Sequence, residues 1–485
     1  MEYIVEGLIW LSRNILWINI LFAVLLVFFE RRNPTSTWLW LMVLTFLPGI
    51  GFLLYLFIGQ DISKSKMFQI KEKEDRYIRY RVFKQGQKIQ EEVYEFSNPR
   101  FADYEDIIKM HIYTSESYFS EDNQVEIYFS GEEKFKALFD SIERAKEYIY
   151  LEYYIFKYDG IGRKLIDKLT QKAKEGVEVK ILYDGMGGRK LKDSHFEEFK
   201  KAGGEIAVFF PPFIPFISLR INYRNHRKIC IIDGKEAFVG GFNIGDEYLG
   251  LSSKFGFWRD THIRIRGTAV NGLQWRFFKD WRFAAKRDNV RCELNPVKDI
   301  VKGKAGIQIV SSGPDSKWSS VKDGYFKMIN KAKERIYIQT PYFIPDDSIF
   351  EALKVAGLSG IDVKVMIPSK PDHPFVYWAG LSYMGELLEA GVKFYTYQKG
   401  FLHSKVLIMD DFVTSIGTAN LDIRSFKLNF EVNAFIYDEY VNKEMVQQFN
   451  EDLKYCKEIT LEEYKERSNI VKIKESISRL LSPIL

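Results

Sequence analysis

The chain has 485 residues, enough for two or three domains, and is 46% hydrophobic and 16% aromatic with a net charge of +5. Three scattered cysteines, Cys230, Cys292 and Cys456, exclude a disulfide framework, and the absence of a CxxC pair or His/Cys cluster argues against a zinc site. With 65 acidic residues against 70 basic ones, the balance permits an anionic partner but lacks the strong excess of a nucleic-acid groove.

Two apolar runs come first. Ile15–Phe29 reads ILWINILFAVLLVFF, with a less apolar lead-in from Leu8, and Thr37–Ile58 reads TWLWLMVLTFLPGIGFLLYLFI. Crossing the hydrocarbon core takes about 20 helical residues, so residues 1–60 are expected to form a two-helix transmembrane hairpin. The alternative is a cleaved signal followed by a buried helix. No small-residue cleavage pattern supports it. The turn between the runs carries only Arg31 and Arg32, whereas Lys64, Lys66, Lys71, Lys73, Arg76, Arg79, Arg81 and Lys84 follow the second run. That asymmetry predicts cytoplasmic termini and a body on the cytoplasmic side. Residues 61–122 read as a basic juxtamembrane linker, either lying against anionic headgroups or solvated.

Beyond it the chain repeats itself. AKEYIYLEYYIF (145–156) matches AKERIYIQTPYFI (332–344), EGVEVKILYDG (175–185) matches SGIDVKVMIPS (359–369), and FKKAGGEIAVF (199–209) matches LLEAGVKFYTY (387–397). NHRKICIID (225–233) and FLHSKVLIMD (401–410) complete the series, followed by FVGGFNIGDEY (238–248) and TSIGTANLDIR (414–424). Similar pieces in one order, 177 to 188 residues apart, mark two large halves rather than a short-period solenoid. Apolar strands alternate with helical stretches such as 162–176 and 350–360, which predicts an α/β fold. The halves are placed at 123–297 and 298–485, related by a pseudo-twofold axis, with a site where they meet.

Each half carries HxKxxxxD: His226, Lys228 and Asp233, then His403, Lys405 and Asp410. Residues two apart on a strand share a face, so each His and Lys project together. Seven residues past each aspartate comes GxxN, giving Gly240, Gly241 and Asn243, then Gly417, Thr418 and Asn420. Glycine allows close approach to a ligand, and Asn243, Asn420 and Thr418 are candidate donors to non-bridging phosphate oxygens. Two His, two Lys and two Asn at one point suit a single phosphodiester. The lysines offset its charge, one His attacks phosphorus and the other protonates the leaving oxygen, with no metal or other cofactor required.

A nucleophilic His needs a carboxylate to fix its tautomer. Asp260, in FWRDTHIRI, lies 34 residues past His226, and Glu431, in LNFEVNA, lies 28 past His403. From position, the expected pairs are Asp260–His226 and Glu431–His403. Asp233 and Asp410 belong to the catalytic motifs but end their strands, which favours a salt bridge or turn cap over substrate contact. His111, His195 and His373 lack repeat partners and read as structural, as does His262 unless it joins Asp260 on the site face.

The doubled HxKxxxxD with GxxN resembles the phospholipase D superfamily over residues 125–455. That resemblance implies a mixed sheet in each half, a duplicated sandwich, and a phosphohistidine intermediate with His226 as nucleophile and His403 as general acid/base. SSGPDS (311–316), TPYFIP (340–345), GFLHSK (400–405), GTANLDIRSFKLNFEVNA (417–434), the hairpin and the terminal RLLSPIL resemble bacterial cardiolipin synthases more specifically. The implied reaction joins two phosphatidylglycerols into cardiolipin and releases glycerol, in a multi-pass protein of the bacterial cell (inner or plasma) membrane. Partners would be membrane phospholipids and not nucleic acid; oligomeric state is open. A departure is Gly241, where many superfamily members have Ser or Thr. A phospholipase D, another phosphatidyltransferase, a membrane-anchored nuclease and a non-catalytic scaffold are the competing readings. No motif His or Lys is lost, which counts against the scaffold.

Two stretches fit a membrane-facing site. VFFPPFIPFISLRI (208–221) sits either among acyl chains or in the core. In 470–485, Ile473, Ile477, Leu480, Leu481 and Ile484 fall at helical spacing, giving an amphipathic helix that lies on a membrane or docks on the body.

Overall fold

The alternating apolar segments of the repeat form strands of one mixed sheet, whose order shows the duplication directly. The computed structural model describes residues 34–47, 76–211, 223–286 and 303–482, with a few isolated positions before residue 56. The first-half strands are β1 (Phe119–Tyr128), β2 (Tyr148–Tyr153), β3 (Glu178–Asp184), β4 (Glu205–Phe209), β5 (Lys228–Ile232), β6 (Glu236–Gly240) and β7 (His262–Arg266). The second-half strands are β8 (Ala305–Ser312), β9 (Arg335–Gln339), β10 (Asp362–Pro368), β11 (Lys393–Tyr397), β12 (Val406–Met409), β13 (Val413–Gly417) and β14 (Asn429–Tyr437), with β15 (Cys456–Ile459) at the edge.

Outward from the centre, the first half runs β1-β7-β6-β5-β2-β3-β4 and the second β8-β14-β13-β12-β9-β10-β11. β2, β3 and β4 are parallel, as are β9, β10 and β11, and the other pairs within each half are antiparallel. β1 and β8 join antiparallel, pairing Phe119 with Gln308 and Ser120 with Ile307, so the sheet runs through both halves. The sandwich expected from the resemblance is therefore a continuous sheet with helices packed on it.

Strand alternation decides what each face meets. Ile149, Leu151 and Tyr153 face a core with Leu138 and Ile142 of helix Gly131–Arg144 and Leu165 and Leu169 of helix Gly160–Lys174. Tyr150 points the other way and stacks on Phe277, 5.1 Å between centroids, of the helix Val270–Ala285. The first of these helices is held by a capping box, with Ser130 and Glu133 each serving the other's backbone N–H.

The region expected as a linker is body from residue 76 onward. Val82 and Ile89 on helix Arg76–Gln90, and Ile107, Ile108 and Ile112 on helix Glu105–Ser115, are buried in the second-half core with Phe435 and Tyr437. Of the expected hairpin, helix Pro34–Phe46 is described; most of Ile15–Phe29 and the end of Thr37–Ile58 lie outside the described residues. Among the described residues no helix is long and apolar enough to cross a membrane. The 208–221 stretch is described to Pro211; there Phe209 and Phe210 are core, against Phe283 and Phe430.

Candidate active site

The backbone before each catalytic-motif histidine leaves its own half. Arg224–Asn225 pairs parallel with Asn429–Phe430, and Gly400–Leu402 pairs parallel with Phe257–Arg259. The N–H of His226 then donates to the carbonyl of Phe430 at 2.9 Å, and that of His403 to Arg259 at 2.7 Å. Each histidine is thus stitched beside the residue that precedes the carboxylate of the opposite half.

The side chains follow. His226 Nδ1 lies 3.0 Å from both carboxylate oxygens of Glu431, and His403 Nδ1 lies 2.7 Å from Asp260 Oδ2. The pairs expected from position, Asp260–His226 and Glu431–His403, are therefore wrong: the partners are exchanged. Sequence distance favoured the within-half carboxylate, whereas the short crossing strands deliver the other one.

The two histidines are 7% and 8% exposed, and both carboxylates are fully buried. Burial, set against the adjacent carboxylate, pushes the His226 imidazole down to about 4. For His403, burial and then Lys405 do the same, again to about 4. Both rings are neutral near pH 7, and with Nδ1 held by a carboxylate, Nε2 remains for substrate. Burial would raise Glu431, but His226, Lys228 and the Thr418 hydroxyl outweigh it and hold its carboxyl below the usual range. Tyr154 sets its ring edge on His226, centroids 5.0 Å apart, and Trp258 packs on His403 at 5.2 Å.

Lys228 and Lys405 are buried, and each donates its ammonium to the carbonyl of the histidine two residues before it. Burial is the largest cause of their low proton affinity and pushes Lys228 to about 7 and Lys405 to about 8. An anion set between them would restore both full charges.

The predicted phosphate donors have other work. Thr418 Oγ1 donates to Glu431 Oε2 at 2.6 Å and accepts from the Val432 N–H at 2.9 Å, so its one hydrogen orients the carboxylate. Asn243 accepts from the Ile155 N–H at 3.0 Å and donates to the Tyr248 hydroxyl at 3.1 Å, which makes it a brace between loops. Asn420 donates to Asp422 Oδ2 at 3.2 Å, and its Oδ1 has no partner among the described residues. Gly241 is needed for close approach, but to protein: a Cβ there would sit 1.9 Å from Asp260 Oδ1. The position that holds Thr418 in the second half is filled in the first by the carboxylate itself.

Asp233 and Asp410 do not reach the histidines. Each sits at positive φ, 52° and 48°, a conformation Asp tolerates. Asp233 accepts from the backbone N–H groups of Lys146, Glu147 and Tyr148 at 2.8–3.0 Å. Asp410 accepts from Lys333, Glu334 and Arg335 at 2.8–3.2 Å. They tie the entry of β2 and β9 to the ends of β5 and β12, a cap rather than a salt bridge. His262 is buried beside Phe242 and behind Gly240, not in the site. His111 is buried against Phe435 and His195 stacks on Tyr158.

A buried charged layer behind the motifs was missed. Arg227, between His226 and Lys228, points to the opposite face and pairs with Asp280 at 2.6 Å. Asp280 also takes Arg276 at 2.6 Å, and Asn225 donates to Glu152 Oε1 at 2.6 Å. A similar layer lies behind the second motif, but its arginine comes from the first half: Arg259 pairs with Asp452 at 2.8 Å, and Gln339, which holds the place of Glu152, donates to Asp452 at 2.8 Å. The one available signal was a lone Glu152 inside an apolar strand, YIYLEYY.

Two imidazole–carboxylate pairs and two lysines, set on a mixed sheet of two matching halves, have the groups that nucleophilic and acid–base chemistry on a phosphodiester needs. The match to a family model described as "Cardiolipin synthase, PLD-like domain" covers residues 138–257 and 325–453, and a "Phospholipase_D-nuclease N-terminal" model matches 15–60. The chain is 51% identical to the major cardiolipin synthase ClsA of Bacillus subtilis, over 96% of this chain and 97% of that one. It is 49% identical to a cardiolipin synthase of Staphylococcus aureus, over 96% and 95%. It also resembles a crystal structure of the phosphatidylserine synthase of Haemophilus influenzae, with TM-score 0.61 at 15% identity over 78% of this chain and all of that one, a likeness of fold. The chain belongs to the bacterial cardiolipin synthases of the phospholipase D superfamily.

Proposed function

We propose that the enzyme transfers a phosphatidyl group from one phosphatidylglycerol to the terminal hydroxyl of another, giving cardiolipin and glycerol through a phosphatidyl-histidine intermediate. The observation that carries this reading is the exchanged pairing of each motif histidine with the carboxylate of the opposite half, which puts two oriented imidazoles in one site. His226 Nε2 attacks phosphorus as the bond to the glycerol oxygen breaks. That oxygen takes the Nε2 proton of His403, which His403 picks up from solvent when the phosphodiester charge joins Asp260 beside the ring. His403 then takes the proton of the acceptor hydroxyl, whose oxygen displaces His226 and returns the electron pair to its nitrogen. Lys228 and Lys405 hold the charge on the non-bridging oxygens.

One phosphodiester replaces another, so the balance depends on keeping water from the intermediate. Near-complete burial of both histidines supports this. Both substrates are bilayer lipids. The hairpin expected at Ile15–Phe29 and Thr37–Ile58 would anchor the body on the cytoplasmic side, and the family match over residues 15–60 supports an N-terminal module there.

The test uses phosphatidylglycerol labelled in the acyl chain, in mixed micelles without divalent metal. Wild type should give cardiolipin and glycerol; His226→Ala and His403→Ala should give neither. Phosphatidic acid as the main wild-type product would mean that water is the acceptor.

A further inference from the structure

The last described helix presents its apolar side away from the protein. In Asn469–Leu480 the buried side chains are Glu475 and Ser478, 3% and 1% exposed. Ile470, Ile473, Ile477 and Leu480 are 66%, 58%, 52% and 82% exposed. At about 100° per residue these four form one stripe, and Glu475 and Ser478 lie roughly opposite. Glu475 meets Arg467 at 2.9 Å on the inner side. The helix is therefore docked, as one sequence reading expected, but by its polar face. Docking and an outward apolar stripe coexist.

Its neighbour is Pro374–Ser382, an uncharged helix with Phe375 56% exposed and Trp378 and Tyr383 half-buried at the seam. Lys474 lies over the Trp378 ring at 5.1 Å and Arg479 over the Tyr383 ring at 4.8 Å. Exposed Lys472, Lys474 and Arg479 flank the stripe on its two shoulders, while the helix's one acidic residue is turned inward. The loop that leads into the neighbouring helix reaches toward the site. Asp372, just before Pro374–Ser382, accepts the Tyr342 hydroxyl and contributes to the field at Lys405.

We infer that this shelf, Ile470, Ile473, Ile477 and Leu480 with Phe375, seats the catalytic body on an anionic bilayer. Isoleucine and leucine enter the acyl boundary, Trp378 and Tyr383 lie at headgroup depth, and the three cations meet lipid phosphates. The contact uses no residue of the two N-terminal apolar runs and none of the histidine chemistry. It turns the mouth of the site toward the surface that holds the substrate.

The full chain is reconstituted in phosphatidylglycerol-rich nanodiscs, with Cys292 and Cys456 changed to Ser. An environment-sensitive fluorophore is attached at Ile473→Cys, at Ile477→Cys or, as an exposed control, at Tyr440→Cys. The disc lipids carry a spin-label quencher near the headgroups. The expected result is blue-shifted emission and lipid quenching at 473 and 477 but not at 440. A polar spectrum at 473 and 477, or equal quenching at all three positions, overturns the inference. So does a blue shift without lipid quenching, which would mean a second copy or another segment of the chain covers the stripe. In parallel, Ile473→Glu/Ile477→Glu should raise the apparent KM for bilayer phosphatidylglycerol about tenfold and leave turnover of a short-chain soluble analogue unchanged. Equal loss on both substrates would refute the membrane role.

Discussion

The exchanged pairing makes the two carboxylates separable by experiment. With an activated donor, phosphatidyl-p-nitrophenol, the first step needs no protonation of the leaving group. In the proposed mechanism it then depends on His226 and its carboxylate alone, and release of nitrophenol would report formation of the phosphatidyl-enzyme. As His226 attacks, its ring becomes cationic beside Glu431, whose oxygens lie 3.0 Å from Nδ1. For charge centres about 4 Å apart and an effective dielectric constant of about 20, that attraction is about 4 kcal/mol. Glu431→Gln keeps the shape and removes the charge, so the burst should slow by about 10³-fold. Asp260→Asn, acting on His403, should leave the burst rate within about threefold of wild type while slowing transfer to the acceptor, because removing base catalysis costs about 10²–10⁴-fold. His403→Ala should show a burst of one nitrophenol per enzyme, and His226→Ala none. Stopped-flow absorbance reads all four. If Asp260→Asn abolishes the burst and Glu431→Gln spares it, either the pairing or the choice of His226 as nucleophile is wrong; a burst in His226→Ala but not in His403→Ala would assign the error to the nucleophile.

The remaining predictions concern the frame around the site. Asp233→Ala and Asp410→Ala each strand three backbone N–H groups and should cost about 2–4 kcal/mol, seen as a lower Tm, while the folded fraction keeps its kcat. Gly241→Ala places a methyl on Asp260 Oδ1, so it should impair transfer to the acceptor more than the nitrophenol burst. Glu152 is driven well above the ordinary carboxyl range, by burial first and then by Asp280, which favours its neutral form. Glu152→Gln, which copies Gln339, should change Tm little, whereas Asp280→Asn leaves Arg227 uncompensated and should cost about 3–5 kcal/mol. Burial holds His226 and His403 at about 4 and His111 at about 3 in the folded protein, against about 6.5 in the unfolded chain. Between about pH 6.5 and 4 the unfolded chain therefore binds more protons. The contribution of these three rings should be full above about pH 6.5 and fall on acidification, with a slope approaching about 4 kcal/mol per pH unit; a denaturant midpoint flat across that window would contradict their burial as neutral rings.

Much of this was legible because the chain repeats itself. HxK at matching positions locates both His–Lys pairs, and the order of the strand pairs follows from the order of the four repeated segments. The carboxylate pairing failed because side-chain partners were assigned within a half. Asp260 and Glu431 were rightly picked as the orienting carboxylates and wrongly distributed, because two- and three-residue strands such as Arg224–Asn225 leave no periodic signal. Thr418, Asn243 and Gly241 have the chemistry of phosphate contacts, but hydrogen-bond capacity is shared with the protein, and Thr418 has only one hydrogen to give. The linker reading of 76–122 failed because it rested on the basic residues alone, whereas Val82, Ile89 and Ile107 are buried in the second-half core.

Crossing the carboxylates also bears on why duplication suits this reaction. A half alone would hold an imidazole beside a lysine, with no acceptor for the ring proton and no reason for one tautomer. Joining the halves supplies both at once, and by backbone hydrogen bonds: His226 to Phe430 and His403 to Arg259. The same joint makes the pocket unequal. Glu431 is braced by a threonine hydroxyl, whereas Asp260 is wedged against Gly241 and takes the Thr261 N–H at 2.8 Å. Lys405 carries Asp372 in its surroundings and Lys228 carries Asp184. Two identical imidazoles would gain nothing by taking different roles. These unequal braces are where the fold can set one ring as nucleophile and the other as proton carrier.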